Sequence, residues 1–69
     1  MEKFLIEIKS IPTEAKSKAF YEKIRVFGAV NMLYTGTNAF IYGELESGTI
    51  TRIEDIITDE GYEYYIDRG

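Results

Sequence analysis

Hydrophobic and polar residues alternate with a period of two in four segments of the chain, and this alternation predicts β-strands. The first segment, residues 3–9, directs Phe4, Ile6 and Ile8 to one side. The other three segments are residues 29–34, 39–45 and 62–67. The turn-forming sequence TGTN at 35–38 joins the second segment to the third, so residues 29–45 are predicted to form a hairpin.

Hydrophobic residues with helical spacing predict a helix between the first two strands. Phe20, Ile24 and Phe27 fall on one stripe of residues 14–27. Thr13 is suited to cap the start of this helix, and Gly28 follows its end, where a C′ glycine is common.

A second helix is predicted after the turn-forming residues 46–48. Thr51 and Glu54 have the spacing of a capping box at its start. Its hydrophobic stripe consists of Ile53, Ile56 and Ile57. Gly61 is predicted to end the helix.

The predicted order of elements is β-α-β-β-α-β, within a single domain of residues 1–69. Each helix supplies the long connection that parallel strands require. Right-handed connections place both helices on the same side of the sheet. We therefore predict an α+β fold: a ferredoxin-like two-layer sandwich, with a four-stranded antiparallel sheet and two helices on one face.

The alternation also predicts an unusual surface on the side of the sheet that faces away from the helices. Open antiparallel sheets normally present polar residues on this side. Five large apolar residues are predicted there, namely Leu5, Leu33, Phe40, Tyr42 and Tyr65. The polar residues predicted among them are Glu7, Asn31, Glu44 and Glu63. A contiguous apolar patch usually marks an interaction site, whereas scattered residues would only stabilise cross-strand pairs.

Composition narrows the possible chemistry. The 69 residues include no Cys and no His, which excludes disulfides, thiolate metal sites and catalytic triads built on either residue. We assign no residue to catalysis, to a cofactor or to a metal, and we expect a protein that is not an enzyme. A small domain without disulfides is typical of the cell interior, so we expect a cytoplasmic location. No apolar run is long enough to predict a membrane span.

The net charge of −4 is unevenly distributed, because the acidic residues concentrate after residue 43. This acidic part would repel a nucleic-acid backbone, so we do not expect nucleic-acid binding. The two predicted helices carry opposite charges, Lys16, Lys23 and Arg25 on the first and Glu54, Asp55 and Asp59 on the second. These charges offer either a second contact with a partner or pairing within the domain.

Residues 50–66, ITRIEDIITDEGYEYYI, resemble the last helix and strand of heavy-metal-associated domains, the copper-chaperone class. FGAVNMLY at 27–34 and NAFIYG at 38–43 are similar to earlier elements of that family, and the resemblance implies the same layout. The family binds soft metal ions through two cysteines in the loop after the first strand. Here residues 9–20, KSIPTEAKSKAF, contain no Cys, His or Met. No metal-binding residue carries over, and no metal is expected.

Two functions follow as hypotheses. The first is a non-enzymatic protein-binding module that docks a protein partner or a second copy on the five apolar residues of the outward sheet surface. Glu44 and Glu63 at its rim would set specificity. The alternative is an acidic inhibitor or regulator of a nucleic-acid-processing protein, of the type found among small phage and mobile-element proteins. It would use residues 54–63 to fill a basic groove.

Overall fold

The computed structural model describes residues 1–69 and contains the predicted elements in the predicted order. The strands are β1 (Glu2–Lys9), β2 (Val30–Tyr34), β3 (Ala39–Leu45) and β4 (Glu63–Arg68). The helices are α1 (Glu14–Ile24) and α2 (Ser47–Asp59), and one turn of 3₁₀ helix, Arg25–Phe27, follows α1. Neither helix has the length and apolar character that spanning a bilayer requires.

The four strands form one antiparallel sheet in the order β2-β3-β1-β4. The connection through α1 carries the chain from β1 past β3 to β2, and the connection through α2 carries it from β3 past β1 to β4. This arrangement confirms the predicted ferredoxin-like α+β fold.

The hydrophobic core lies between one side of the sheet and the two helices. It contains thirteen buried hydrophobic residues, most of them isoleucines. The isoleucines with no exposed surface are Ile6, Ile8, Ile11, Ile24, Ile41, Ile50, Ile53 and Ile57. Removing a side chain of this size from water contributes roughly 1.5–3 kcal/mol, so this one layer holds the helices on the sheet.

The start of α1 is confirmed, whereas its end differs from the prediction. The Lys16 amide donates to Thr13 Oγ1 at 3.1 Å, so Thr13 is the N-cap. The α-helix ends at Ile24, and the next three residues tighten into a 3₁₀ turn. Gly28 has a φ of +147°, and a Cβ there would lie 2.8 Å from Leu45 Cδ2. Gly28 therefore permits a close approach of the chain to Leu45 and is not the left-handed C′ glycine that was predicted.

The predicted start of α2 is wrong, because the helix begins at Ser47 and includes part of the predicted turn. Thr51 lies within the first turns of the helix and donates from Oγ1 to the Ser47 carbonyl at 3.2 Å. Ile50 gives the physical reason. It is fully buried and extends the stripe of Ile53 and Ile57 toward the start of the helix. Burial of this side chain outweighs the turn preference of the ESG sequence.

The predicted end of α2 is confirmed. Gly61 has a φ of +81°, in the left-handed region that favours glycine. Its amide donates to the Thr58 carbonyl at 3.0 Å, and the Tyr62 amide donates to the Ile57 carbonyl at 3.2 Å. These two bonds are those of a Schellman motif, which turns the chain from α2 into β4.

Two glycine substitutions should change stability in opposite directions. Gly61→Ala should lower the free energy of unfolding by about 1–2 kcal/mol, because alanine is strained in the left-handed region. Gly48→Ala should raise it by about 0.4–1 kcal/mol, because Gly48 lies in α2 and an added Cβ would meet nothing within 4 Å. Urea unfolding of both variants measures the two shifts. Equal shifts of the same sign would contradict the assignment of the α2 C-terminus.

Candidate functional site

The helices cover only one side of the sheet, and the strand register fixes which side chains occupy the other side. We term this uncovered surface the open face. It contains two central rows of residues, each read in the strand order β2, β3, β1, β4. The first row consists of Asn31, Tyr42, Leu5 and Asp67. The second row consists of Leu33, Phe40, Glu7 and Tyr65. The five apolar residues predicted to face away from the helices all belong to these two rows.

Four of the five apolar residues form a continuous area. Leu5 lies directly opposite Tyr42, and Leu33 lies directly opposite Phe40. Phe40 and Tyr42 are two residues apart on the same side of β3, so the two pairs lie side by side along that strand. Leu5, Tyr42 and Leu33 remain 44%, 45% and 57% exposed, and Phe40 is half-buried. The open face thus presents a patch of large side chains to solvent.

Tyr65 has no apolar residue directly opposite it in the sheet. It is 66% exposed, and Glu7 separates it from Phe40 within the same row. Glu7 is half-buried, and Asn38 Nδ2 donates to its Oε2 at 2.7 Å. Sequence reasoning missed Asn38, which it had placed only in a turn, although the position just before β3 brings its amide beside β1. The carboxylate in the centre of the open face therefore has a hydrogen-bond partner from the protein itself.

Charged residues lie at both ends of the open face. Glu44 is opposite Lys3 at one end, and Glu63 is opposite Lys9 at the other. All four residues are exposed. The two glutamates were predicted at the rim, whereas the two lysines were not, although the period-two pattern of β1 already placed them on the same side as Leu5. An apolar centre with a charged rim is the usual layout of a protein interface.

The loop after β1 is held by bonds within the chain. Ile11 is fully buried, and its amide donates to the Thr37 carbonyl at 2.7 Å. The Tyr34 hydroxyl shares its single proton between the carbonyls of Ile11 and Gly36, which lie 2.9 and 2.8 Å away. The structure contains no group of three or more His, Cys, Asp or Glu residues arranged to hold a metal ion. The hydrogen bonds of Ile11 and Tyr34 therefore anchor this loop to the turn of the β2–β3 hairpin.

The acidic segment 54–63 is partly occupied by contacts within the domain. Glu54 accepts a hydrogen bond from the Tyr64 hydroxyl at 2.8 Å, and this bond raises the pKa of Tyr64 above 10.0. Glu60 forms an ion pair with Lys23 of α1. Asp55 and Asp59 remain exposed on α2. The helix charges were predicted either to contact a partner or to pair within the domain. The Lys23–Glu60 pair is an instance of pairing within the domain.

Arg68 joins three elements and was not found by sequence reasoning. Its Nη2 donates to Glu2 Oε2 at 2.8 Å and to Ser47 Oγ at 2.7 Å, while its Nη1 donates to Glu54 Oε2 at 3.4 Å. β1, α2 and β4 are thus fastened at one corner. The hydrogen bond from Arg68 lowers the pKa of Glu2 below its usual 4.5.

A groove of about 590 Å³ runs between α1 and the edge strand β2. Tyr21 lines the groove, and its hydroxyl donates to the Val30 carbonyl at 3.2 Å, so this carbonyl of β2 points away from β3. β2 contains no charged residue, whereas β4 at the other edge of the sheet carries three. Charges protect sheet edges from pairing with other chains, and β2 lacks that protection.

Comparison of the chain with protein-family models, curated proteins and solved structures gives no match. The resemblance to heavy-metal-associated domains therefore stays a prediction, and the site is interpreted from its own geometry.

The Glu2–Arg68 contact predicts a stability difference that depends on pH. The pKa of Glu2 is lower in the folded protein than in the unfolded chain, so its contribution is fully present above pH 4.5. That contribution is lost as the pH falls through the lowered pKa of the folded state. The wild type should therefore exceed Glu2→Gln in free energy of unfolding at neutral pH, and the difference should shrink below pH 4.5. A difference that stays constant in urea titrations down to acidic pH would contradict this assignment.

Proposed function

We propose that this chain is a non-enzymatic protein-binding module that docks an apolar protein surface, of a partner or of a second copy, on its open face. The observation that supports the proposal most directly is the continuous patch of Leu5, Tyr42, Phe40 and Leu33 on a sheet surface that no helix covers. Open antiparallel sheets usually carry polar residues here, and monomeric proteins rarely expose large contiguous apolar patches.

Desolvation of the aromatic side chains would supply the affinity of this surface. Tyr and Phe are enriched at the centres of interfaces, where they bury large rigid areas. Glu44 and Glu63 would select a partner with matching cations at the rim, because a like charge there would be repelled. Glu7 is the unfavourable element, and its bond from Asn38 reduces the cost of covering it.

The open face has stronger support than the acidic segment as the functional surface. Glu54 and Glu60 already bind Arg68, Tyr64 and Lys23 within the domain. A charge mimic would need these carboxylates free for a basic groove. We assign no catalytic, cofactor or metal residue, and we propose a cytoplasmic setting, since a chain without cysteine gains nothing from an oxidising compartment.

Replacing Tyr42 by Glu should abolish docking without unfolding the domain. A charge at the centre of a desolvated patch costs about 2 kcal/mol or more, which is about 30-fold in affinity. Val26→Glu is the matched control, because Val26 is 75% exposed but lies beside α1, on the other side of the sheet. Sedimentation over a range of concentrations measures self-association. A protein that co-purifies with the chain from the producing cells is isolated, and sedimentation of its mixture with the purified chain measures binding.

The proposal expects the Val26→Glu variant to bind as the wild type does and the Tyr42→Glu variant to bind far more weakly. High salt should weaken the binding without abolishing it, because salt screens the exposed rim charges whereas the apolar burial at the centre remains. If the Tyr42→Glu variant bound normally, while neutralising Asp55 and Asp59 or adding salt abolished binding, the open face would be excluded and the acidic segment would take its place.

A further inference from the structure

We infer that the occupant of the open face is the open face of a second copy, related by a two-fold axis that runs parallel to the strands between β1 and β3. This inference rests on the proposed function and adds the partner and the register. The cross-strand pairs of the sheet decide which residues meet when the face is turned onto itself.

The geometry of such a dimer follows from the strand order β2-β3-β1-β4. A two-fold axis parallel to the strands keeps each row of residues level with the same row of the second copy. It also exchanges the two sides of the sheet, so β3 lies over β1 of the second copy and β2 lies over β4. Two sheets packed in this way stay nearly aligned, which is the common arrangement of packed sheets.

Four of the five apolar residues meet one another in this register. Tyr42 packs on Leu5 of the second copy, and the symmetry repeats this contact on the other side of the axis. Leu33 packs on Tyr65 of the second copy. Tyr65, which Glu7 separates from the patch within its own sheet, thereby gains an apolar partner. Phe40 alone among the five predicted apolar residues gains no apolar partner, because it faces Glu7 of the second copy.

The rim charges favour this axis over the other in-plane axis. With the axis parallel to the strands, Glu44 faces Lys3 of the second copy, and Lys3 faces Glu44 in return. With an axis across the strands, the rows would be reversed, and Lys3 would face Lys9 of the second copy. The rim charges therefore favour the axis parallel to the strands, because it brings opposite charges together, whereas the axis across the strands brings like charges together.

The size of the face predicts a weak dimer. Four strands spaced about 4.8 Å apart and five residues rising about 3.3 Å each give a face of roughly 19 by 17 Å. Stable complexes bury about 800 Å² on each partner, so a face of roughly 320 Å² lies well below that size and fits only a weak, transient dimer. Glu7 also lies over Phe40 of the second copy and opposes association. We therefore expect dissociation constants in the micromolar range, with monomer and dimer in measurable exchange.

Charge reversal at the rim tests the register. In a Lys3→Glu dimer the substituted side chain faces Glu44 of the second copy, and in a Glu44→Lys dimer it faces Lys3. Each variant alone should self-associate at least tenfold more weakly than the wild type in sedimentation experiments. An equimolar mixture of the two variants should recover association, because every rim pair in the mixed dimer then has opposite charges.

The mixed dimer separates contacts between copies from effects within one sheet. Each variant chain keeps two like charges opposite each other in its own sheet, so only contacts between chains can account for recovery on mixing. Asp55→Lys is the matched control: it makes the same change in net charge as Glu44→Lys, but it lies on α2, away from the open face. It should not weaken self-association. Glu7→Gln should strengthen it several-fold, because the central charge is removed.

The outcomes distinguish the inference from the function on which it rests. Failure of the mixture to recover association would overturn the register, and if Tyr42→Glu still abolished association the open face would remain the docking surface. A wild type that stays monomeric up to millimolar concentration would overturn the self-association inference, while binding of a purified partner that Tyr42→Glu abolishes would uphold the proposed function. Association that Tyr42→Glu does not affect would overturn both.

Discussion

The constraint on which the structure depends is that both helical connections return on the same side of the sheet. Right-handed crossovers impose this placement, and one layer of isoleucines then fills the space between the sheet and the helices. The chain has no third helix with which to cover the other side. The open face therefore follows from the topology, and the large side chains on it follow from the sequence.

Much of the fold and part of the site could be predicted from the sequence because a strand has only two sides. Once Phe4, Ile6 and Ile8 face the helices, Leu5 must face away, and the same parity places Tyr42 and Tyr65. The start of α2 was missed because local turn preferences suggested a loop where the burial of Ile50 in the tertiary structure extends the helix.

Contacts between distant segments were beyond local patterns. The pairs that Arg68 forms with Glu2 and with Glu54 depend on which strands become neighbours. The same holds for Asn38, whose amide reaches Glu7 only because β3 lies beside β1. Parity predicted which residues share the open face, but only the register shows that four are continuous and that Tyr65 lies opposite Glu7.

The central position of β1 also has a consequence for biosynthesis. β1 is translated first, yet one of its two neighbours is β4, which ends at Arg68. Hydrogen bonds along that side of β1 cannot form until β4 has left the ribosome, whereas the β2–β3 hairpin needs only local contacts. The nascent chain therefore carries its central strand with one edge unpaired until β4 has emerged, which is the interval in which chaperones and premature aggregation compete for it.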